Sequence, residues 1–339
     1  MEILLVEELV PEALEWLQAR HSVECRPQLA NDPSALRKAV YNVRAVVVPR
    51  KVAVTREFLD FAPLLRAVAR LHVTTDSTDL EACRDRKVRV IQASTANVRS
   101  NAEYILASLL LLLRRGIGMS LNGQRTQEPQ IGRELNGCTV GILGLAPTAH
   151  TLTLLLRTLG VKLIGYDPAV HHTAPIWERL QVQAVTAKEL MARSDAVSLQ
   201  VLYGTRYRGF INDQMLSHCK PGQLWVGIGR AALFDEAALA KALADGRIEA
   251  CMLDNADAQF VAPGSPLHTA KNLFVTPRLA PNTHEARMRA SWYVAHRIHE
   301  TLSLPRTSMM DQLTSGPANL EPAWPGDAGE RKNQGFEIE

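Results

Sequence analysis

The chain has 339 residues, 46% of them hydrophobic, with 22% charged residues and a formal net charge of +3. That length and apolar content suffice for two domains with a full core in each, while so small a charge, with no dense Lys/Arg run, argues against a nucleic-acid surface and for a small-molecule partner. Five cysteines (Cys25, Cys83, Cys138, Cys219, Cys251) are odd in number, scattered and without a C-x-x-C pair, so they read as reduced core thiols of a cytoplasmic protein.

The opening MEILLVEELVPEALEWL has an acidic start and no small-residue cleavage site, which makes it a strand and a helix rather than a signal peptide. The longest apolar run, Ile105 to Leu113, is too short to span a bilayer. Short β-runs at Ile3–Val6, Val23–Cys25, Ala45–Val48, Ala67–Leu71 and Val88–Ile91 alternate with helices starting near Pro11, Asp32, Thr55 and Asp79. The last three starts carry side chains that cap helix N-termini. This alternation predicts a parallel, doubly wound sheet. A long helix from about Ser100 to Arg115 follows, its apolar side expected to lie between two domains, and then a polar connection, Gly116 to Gly137.

The stretch Thr139 to Pro168, TVGILGLAPTAHTLTLLLRTLGVKLIGYDP, is a βαβ unit. Gly144 is the first glycine of a G-x-G-x-x-G dinucleotide pattern, and Asp167 stands about 20 positions on, where an acidic residue meets the ribose hydroxyls. The other two glycines are Ala146 and Ala149, and Pro147 precedes Thr148 where the helix begins. Ala is an accepted variant at the third position. Ala146 puts a methyl group where backbone should approach a pyrophosphate, and Pro147 lacks one phosphate-facing N–H. Gly144, Ala146, Pro147, Thr148 and Asp167 are thus cofactor-site candidates, with weak binding expected. The alternation then resumes through strands Ala196–Val201, Gln223–Ile228, Ile248–Leu253 and Leu273–Thr276. A second doubly wound sheet follows, then a helix from about Thr283 to Leu302 that could return to the first domain, and a tail, Thr314–Glu339, expected to be disordered. His171 and His172 have no partner at metal-ligand spacing, and no metal is expected.

In order, the segments ARLHVTTDSTDLEA, ASTANVRSNAEYILASLLLLLRR, the βαβ unit, SDAVSLQVLYGTRYRGFIN, KPGQLWVGIGRAALFDEAALAKAL, CMLDNADAQ and NLFVTPRLAPNT resemble the D-isomer-specific 2-hydroxyacid dehydrogenase family over nearly everything except the tail. The resemblance implies two Rossmann-like domains enclosing a cleft. Residues 1–98 and 290–313 would form the substrate domain and 99–289 the NAD-binding domain. It also implies NAD as cofactor, a small carboxylate as ligand and a homodimer through the NAD-binding domain.

Carried over residue by residue, Arg230 matches the family's substrate-binding arginine, whose planar fork grips a carboxylate bidentately, and Asp254 matches the aspartate that holds the nicotinamide amide. The family's glutamate and histidine of the acid/base pair fall at Gln259 and Arg278. A guanidinium stays protonated up to a pKa above about 12 and cannot hand over the proton that an alkoxide needs. His72, at a family glycine position in the substrate loop, is a substitute donor or a side chain filling vacated glycine space. Three functions follow: the family reaction in altered form, a catalytically silent ligand- or partner-binding protein of the same fold, and a formate-dehydrogenase-like hydride transfer that needs no acid/base group. Two permanent charges, Arg230 and Arg278, about 6 Å apart in one site would repel by roughly 3 kcal/mol, so an anion is the expected ligand unless Asp257 or Glu285 neutralises Arg278.

Overall fold

The computed structural model describes residues 1–72, 77–115 and 131–304; the expected tail and most of the connection Gly116–Gly137 lie outside them. The described residues form two compact units, one of those within Met1–Ser94 with residues 287–304, the other of those within Thr95–Ala286. Among the described residues no helix is long and apolar enough to cross a membrane.

In the first unit β1 (Ile3–Leu5), β2 (Val23–Cys25), β3 (Ala45–Val47), β4 (Ala67–Arg70) and β5 (Arg89–Gln92) make one parallel sheet in the order β2-β1-β3-β4-β5. Strands β1, β3 and β4 are buried throughout, because crossover helices cover both faces of a parallel sheet. The crossovers are α1 (Pro11–Gln18), α2 (Pro33–Ala39), α3 (Arg56–Asp60) and α4 (Leu80–Asp85). The Asp32, Thr55 and Asp79 side chains accept from the N–H groups of Ala35, Phe58 and Ala82, as their positions predicted. The final helix, His284–Ser303, buries Ser291, Val294, Ala295, Ile298 and Leu302, one helical stripe. Its last carbonyls are satisfied by Arg44 and Arg66, which both donate to Leu302 O at 3.3 Å.

The second unit is a seven-stranded parallel sheet, order β12-β11-β10-β9-β6-β7-β8. Its strands are β6 (Thr139–Leu143), β7 (Lys162–Tyr166), β8 (Gln183–Ala184), β9 (Ala196–Leu199), β10 (Gln223–Gly227), β11 (Ile248–Asp254) and β12 (Leu273–Thr276). Its helices are α5 (Val98–Leu113), α6 (Pro147–Thr158), α7 (Pro175–Leu180), α8 (Ala187–Arg193), α9 (Asp213–Leu216) and α10 (Glu236–Ala244). Side-chain alternation sends Val140 and Ile142 into one core and Leu143, Val197 and Leu199 into another. The sequence reading set the apolar side of α5 between two domains, whereas its buried residues belong to the second unit's own core. Ala102, Ile105, Leu109 and Leu112 share that core with Ala149, Leu152 and Leu156 of α6, the helix against which α5 packs.

At the amino edge of this sheet, Asp195 draws three segments together. Its carboxylate accepts from the Thr139 N–H at 2.8 Å, from Arg133 at 3.0 Å and from Lys220 at 2.6 Å. Burial pushes the carboxyl up, but these hydrogen bonds outweigh it and hold Asp195 at about 2. A carboxyl depressed on folding contributes stability above its unfolded value of about 3.9, lost as pH falls toward the folded value. Asp195→Asn should therefore cost about 1–3 kcal/mol at pH 7 and flatten the decline in stability between about pH 4 and pH 2. Denaturant titrations at stepped pH check this, and an unchanged acid limb would refute it.

Candidate functional site

At the end of β6 the chain turns at Gly144, whose φ is +99°. A Cβ there would lie only 2.6 Å from Val201 Cα, so the site requires glycine for both conformation and space. This close approach joins β6 to the chain leaving β9, the point at which strand order reverses, where doubly wound sheets bind ligands. Asp167, one residue beyond β7, accepts from Leu145 N and Ala169 N, both at 2.7 Å, and so fixes the turn. Ala146 sits at the N-cap of α6 with no side-chain cap, and Pro147 takes the first helical position. Ala149 N–H goes to Ala146 O at 2.8 Å, which leaves the Thr148 N–H as the donor near the helix tip.

Gln200, which the motif reading missed, lies beside this turn and is 2% exposed. Its Nε2 donates to Ser198 Oγ at 2.9 Å, and its buried Oε1 has no partner among the described residues. The signal that could have found it is position, one residue past β9 at the switch point. A glycine cradle, an acidic residue at the β7 end and an orphaned buried acceptor together fit a dinucleotide, held with one helix donor fewer than usual.

The second cluster surrounds the ends of β11 and β12. Asp254 is 3% exposed, and its carboxylate accepts from Thr276 Oγ1 at 2.6 Å, Leu279 N at 2.7 Å and Ala280 N at 3.0 Å. Since the Thr276 hydroxyl donates to Asp254, the Tyr104 hydroxyl at 2.6 Å donates to Thr276; burial pushes the Tyr104 phenol up. The Ser100 hydroxyl donates to Ala280 O. This clamp holds Arg278 at φ +56°, and Asn255 beside it has φ +70°. Left-handed backbone at residues other than glycine costs about 1–3 kcal/mol each and gathers at functional sites. The two residues border an open depression of about 390 Å³ with Ala256, Val275, Thr276 and Pro277. Among the described residues the Arg278 side chain has no hydrogen-bond or ion-pair partner, so neither Asp257 nor Glu285 neutralises it. Gln259 is exposed on a short 3-10 turn, Ala258–Val261. Arg230 follows β10, with its guanidinium 5.2 Å from the Tyr203 ring centroid. All these residues lie at the carboxyl edge of the second sheet.

His72 belongs to the first unit. Its Nε2 lies 2.8 Å from Glu7 Oε1, and Glu7, 65 positions earlier, was not singled out by any motif. The histidine is thus tethered to a carboxylate two residues past β1, which a space-filling role does not require.

Residues 107–280 match the family described as D-isomer specific 2-hydroxyacid dehydrogenase, NAD binding domain. The chain is 32% identical over 309 residues to the (S)-sulfolactate dehydrogenase of Chromohalobacter salexigens, covering 90% of this chain and 99% of that protein. It is also 32% identical over 304 residues to the D-3-phosphoglycerate dehydrogenase of Mycobacterium tuberculosis, covering 89% of this chain but only 57% of that protein. Among solved structures, the TT0316 protein of Thermus thermophilus superposes with a TM-score of 0.75 at 24% identity, over 89% of this chain and 97% of that one, a likeness of fold.

The clamp makes its own prediction. Asp254→Ala leaves several donors without their acceptor, at about 1–3 kcal/mol for each that stays buried. It should also remove hydrogen-exchange protection from the Leu279 and Ala280 amides. Protection equal to that of the unaltered protein would mean that something else holds the loop.

Proposed function

The chain belongs to the D-isomer-specific 2-hydroxyacid dehydrogenase family, and on that footing we propose that it interconverts a 2-oxo acid and a 2-hydroxy acid with NAD(H), on a substrate that carries a second anionic group. The observation that carries this reading is Arg278, a permanent cation held in a left-handed backbone conformation and without a counter-ion among the described residues. Arg230 grips the substrate carboxylate through its planar fork, and Arg278 meets the second anion. The names of two relatives support the substrate class, since sulfolactate and 3-phosphoglycerate are both hydroxy acids with a further anionic group.

When bound, the nicotinamide supplies or accepts the hydride. The chain's own groups would hold it: Gly144 would leave room for the pyrophosphate, the Thr148 N–H would donate to it, and Gln200 Oε1 would offer a buried acceptor. The Asp167 carboxylate repels a 2′-phosphate and so favours NAD(H) over NADP(H). With Gln259 and Arg278 in place of the family's proton-transfer pair, turnover through those two positions is lost. We further propose a homodimer through the NAD-binding domain, where Leu110, Leu111 and Leu154 are exposed. A catalytically silent ligand-binding protein is the second reading, favoured by the missing N–H at Pro147.

Calorimetry of the NADH-loaded protein tests both readings. Sulfopyruvate and 3-phosphohydroxypyruvate should bind at least ~10-fold more tightly than pyruvate, a difference of about 1.4 kcal/mol, and Arg278→Ala should erase the preference. Equal affinity for all three would end the dianion reading. Arg278→His combined with Gln259→Glu should raise pyruvate turnover, by up to the 10²- to 10⁴-fold that a positioned proton donor contributes. Binding without turnover in every form would favour the silent protein.

A further inference from the structure

We propose that His21, His296 and His299 form an acid-sensitive latch within the first unit, which keeps the final helix seated near neutral pH and frees it as the three imidazoles take up protons. The latch lies wholly in that unit and is independent of the oxidoreductase reading. The first unit is assembled from two stretches of chain, Met1–Ser94 and the residues from Arg287 on, and the final helix is what joins the second stretch to the first. At one end of the contact the Val10 N–H donates to Ser291 Oγ at 3.1 Å; at the other, Arg89 donates to Thr301 Oγ1 at 3.1 Å, and Arg44 and Arg66 donate to Leu302 O. None of these groups changes charge between pH 5 and pH 8. The histidines gather between those ends.

Trp16 of α1 sets its ring 4.4 Å from that of His296 and 5.4 Å from that of His299, centroid to centroid, and Trp292 stacks on His296 at 5.6 Å. His21, just past α1, has a side chain 9% exposed. Its Nδ1 donates to Glu2 Oε2 at 3.2 Å, and its Nε2 faces His299 Nδ1 at 3.0 Å. Two imidazoles that meet through one nitrogen each can share one proton, because one nitrogen must accept with its lone pair. One added proton is therefore accommodated. When both rings are cationic, both facing nitrogens carry hydrogen, and the hydrogen bond gives way to repulsion between like charges.

The surrounding charges do not relieve that repulsion. From the first stretch, the Arg20 guanidinium lies 4.1 Å from the Trp16 ring centroid, and Arg44 is paired with Glu2. On the helix itself, Glu300 is held by Arg297 at 2.8 Å. Both carboxylates of the cluster are thus already engaged by arginines. Burial, with Arg20 and a neighbouring histidine, pushes both His296 and His299 below the ordinary imidazole value, against the pull of Glu300. The seated helix therefore binds fewer protons than the freed one. Its seating is strongest above the ordinary imidazole pKa of about 6.5 and weakens as pH falls below it.

Amide hydrogen exchange of the full chain, followed by mass spectrometry at about pH 7.5 and about pH 5 and corrected for intrinsic rates, tests the latch. Protection over residues 292–303 should fall at least ~10-fold in acid, since each proton taken up on release lowers it by up to about tenfold per pH unit. The amides of β1 and β3 should lose less. His299→Asn should retain most of the helix protection in acid, because an amide can donate to His21 Nε2 or accept from it in either protonation state. His296→Gln should retain part of it. Undiminished helix protection at about pH 5 in the unaltered protein overturns the latch, and so does an equal fall in the unaltered protein and both variants. Helix and strands losing protection together would be acid unfolding of the whole unit, which overturns it too. If a variant does not fold, the comparison of helix with strands in the unaltered protein still decides.

Discussion

Gly144 lets the carboxyl end of β6 run against the chain as it leaves β9, and much of the second unit's organisation follows from that approach. Any side chain at this position would meet Val201 backbone, and the left-handed φ would add strain to the collision. With the two chains in contact, the Gln200 N–H reaches Leu143 O at 2.7 Å and the order of strands reverses across the pair. Helix α6 then starts from the edge of the sheet, with its dipole pointing at whatever occupies the crevice. A parallel sheet covered on both faces has no room for polar chemistry within its layers, so its functional side chains collect at one edge.

Three aspartates divide the work at the two edges of that sheet. Asp195 at the amino edge binds two cations and a backbone N–H and serves stability. Asp167 and Asp254 at the carboxyl edge direct most of their hydrogen bonds to the backbone of the loops that carry the site. A carboxylate that accepts two or three N–H bonds at 2.7–3.0 Å immobilises a loop more firmly than neutral side chains do, since charge-assisted bonds are roughly twice as strong. Asp254 thereby holds Arg278 in a conformation that arginine does not choose. The same residue that the family resemblance assigns to the nicotinamide amide sets the backbone of Arg278, the position at which that resemblance places the family's histidine.

The alternation of strands and helices was legible because buried parallel strands read as unbroken apolar runs, and the caps at Asp32, Thr55 and Asp79 because their hydrogen bonds span only three residues. Gly144 and Pro147 were legible for the same local reason. The short strand β8, Gln183–Ala184, carries too few residues to show any period. What escaped was non-local: Glu7 meets His72 across 65 positions, and Asp254 meets Ala280 across 26. Gln200 looks like an ordinary strand residue until the switch point is placed beside it. The apolar side of α5 was read as a boundary because hydrophobic periodicity says that a face is buried and not against what.

Replacing an imidazole by a guanidinium changes the kind of chemistry a position can do, not merely its efficiency. The imidazole cycles a proton near neutrality, whereas the guanidinium stays charged through the cycle and can only bind. An arginine held at a left-handed backbone position by a buried carboxylate is suited to that second role, because recognition of an anion rewards a fixed charge whose orientation is settled before the ligand arrives. The cost of the strain is constant, and the return comes only with a ligand whose charge justifies it. On the proposed reading, a monoanionic 2-oxo acid would be satisfied by Arg230 and gain little from Arg278. On that same reading, a substrate with a second negative group would neutralise both cations at once, and an arginine at this position would narrow the substrate range.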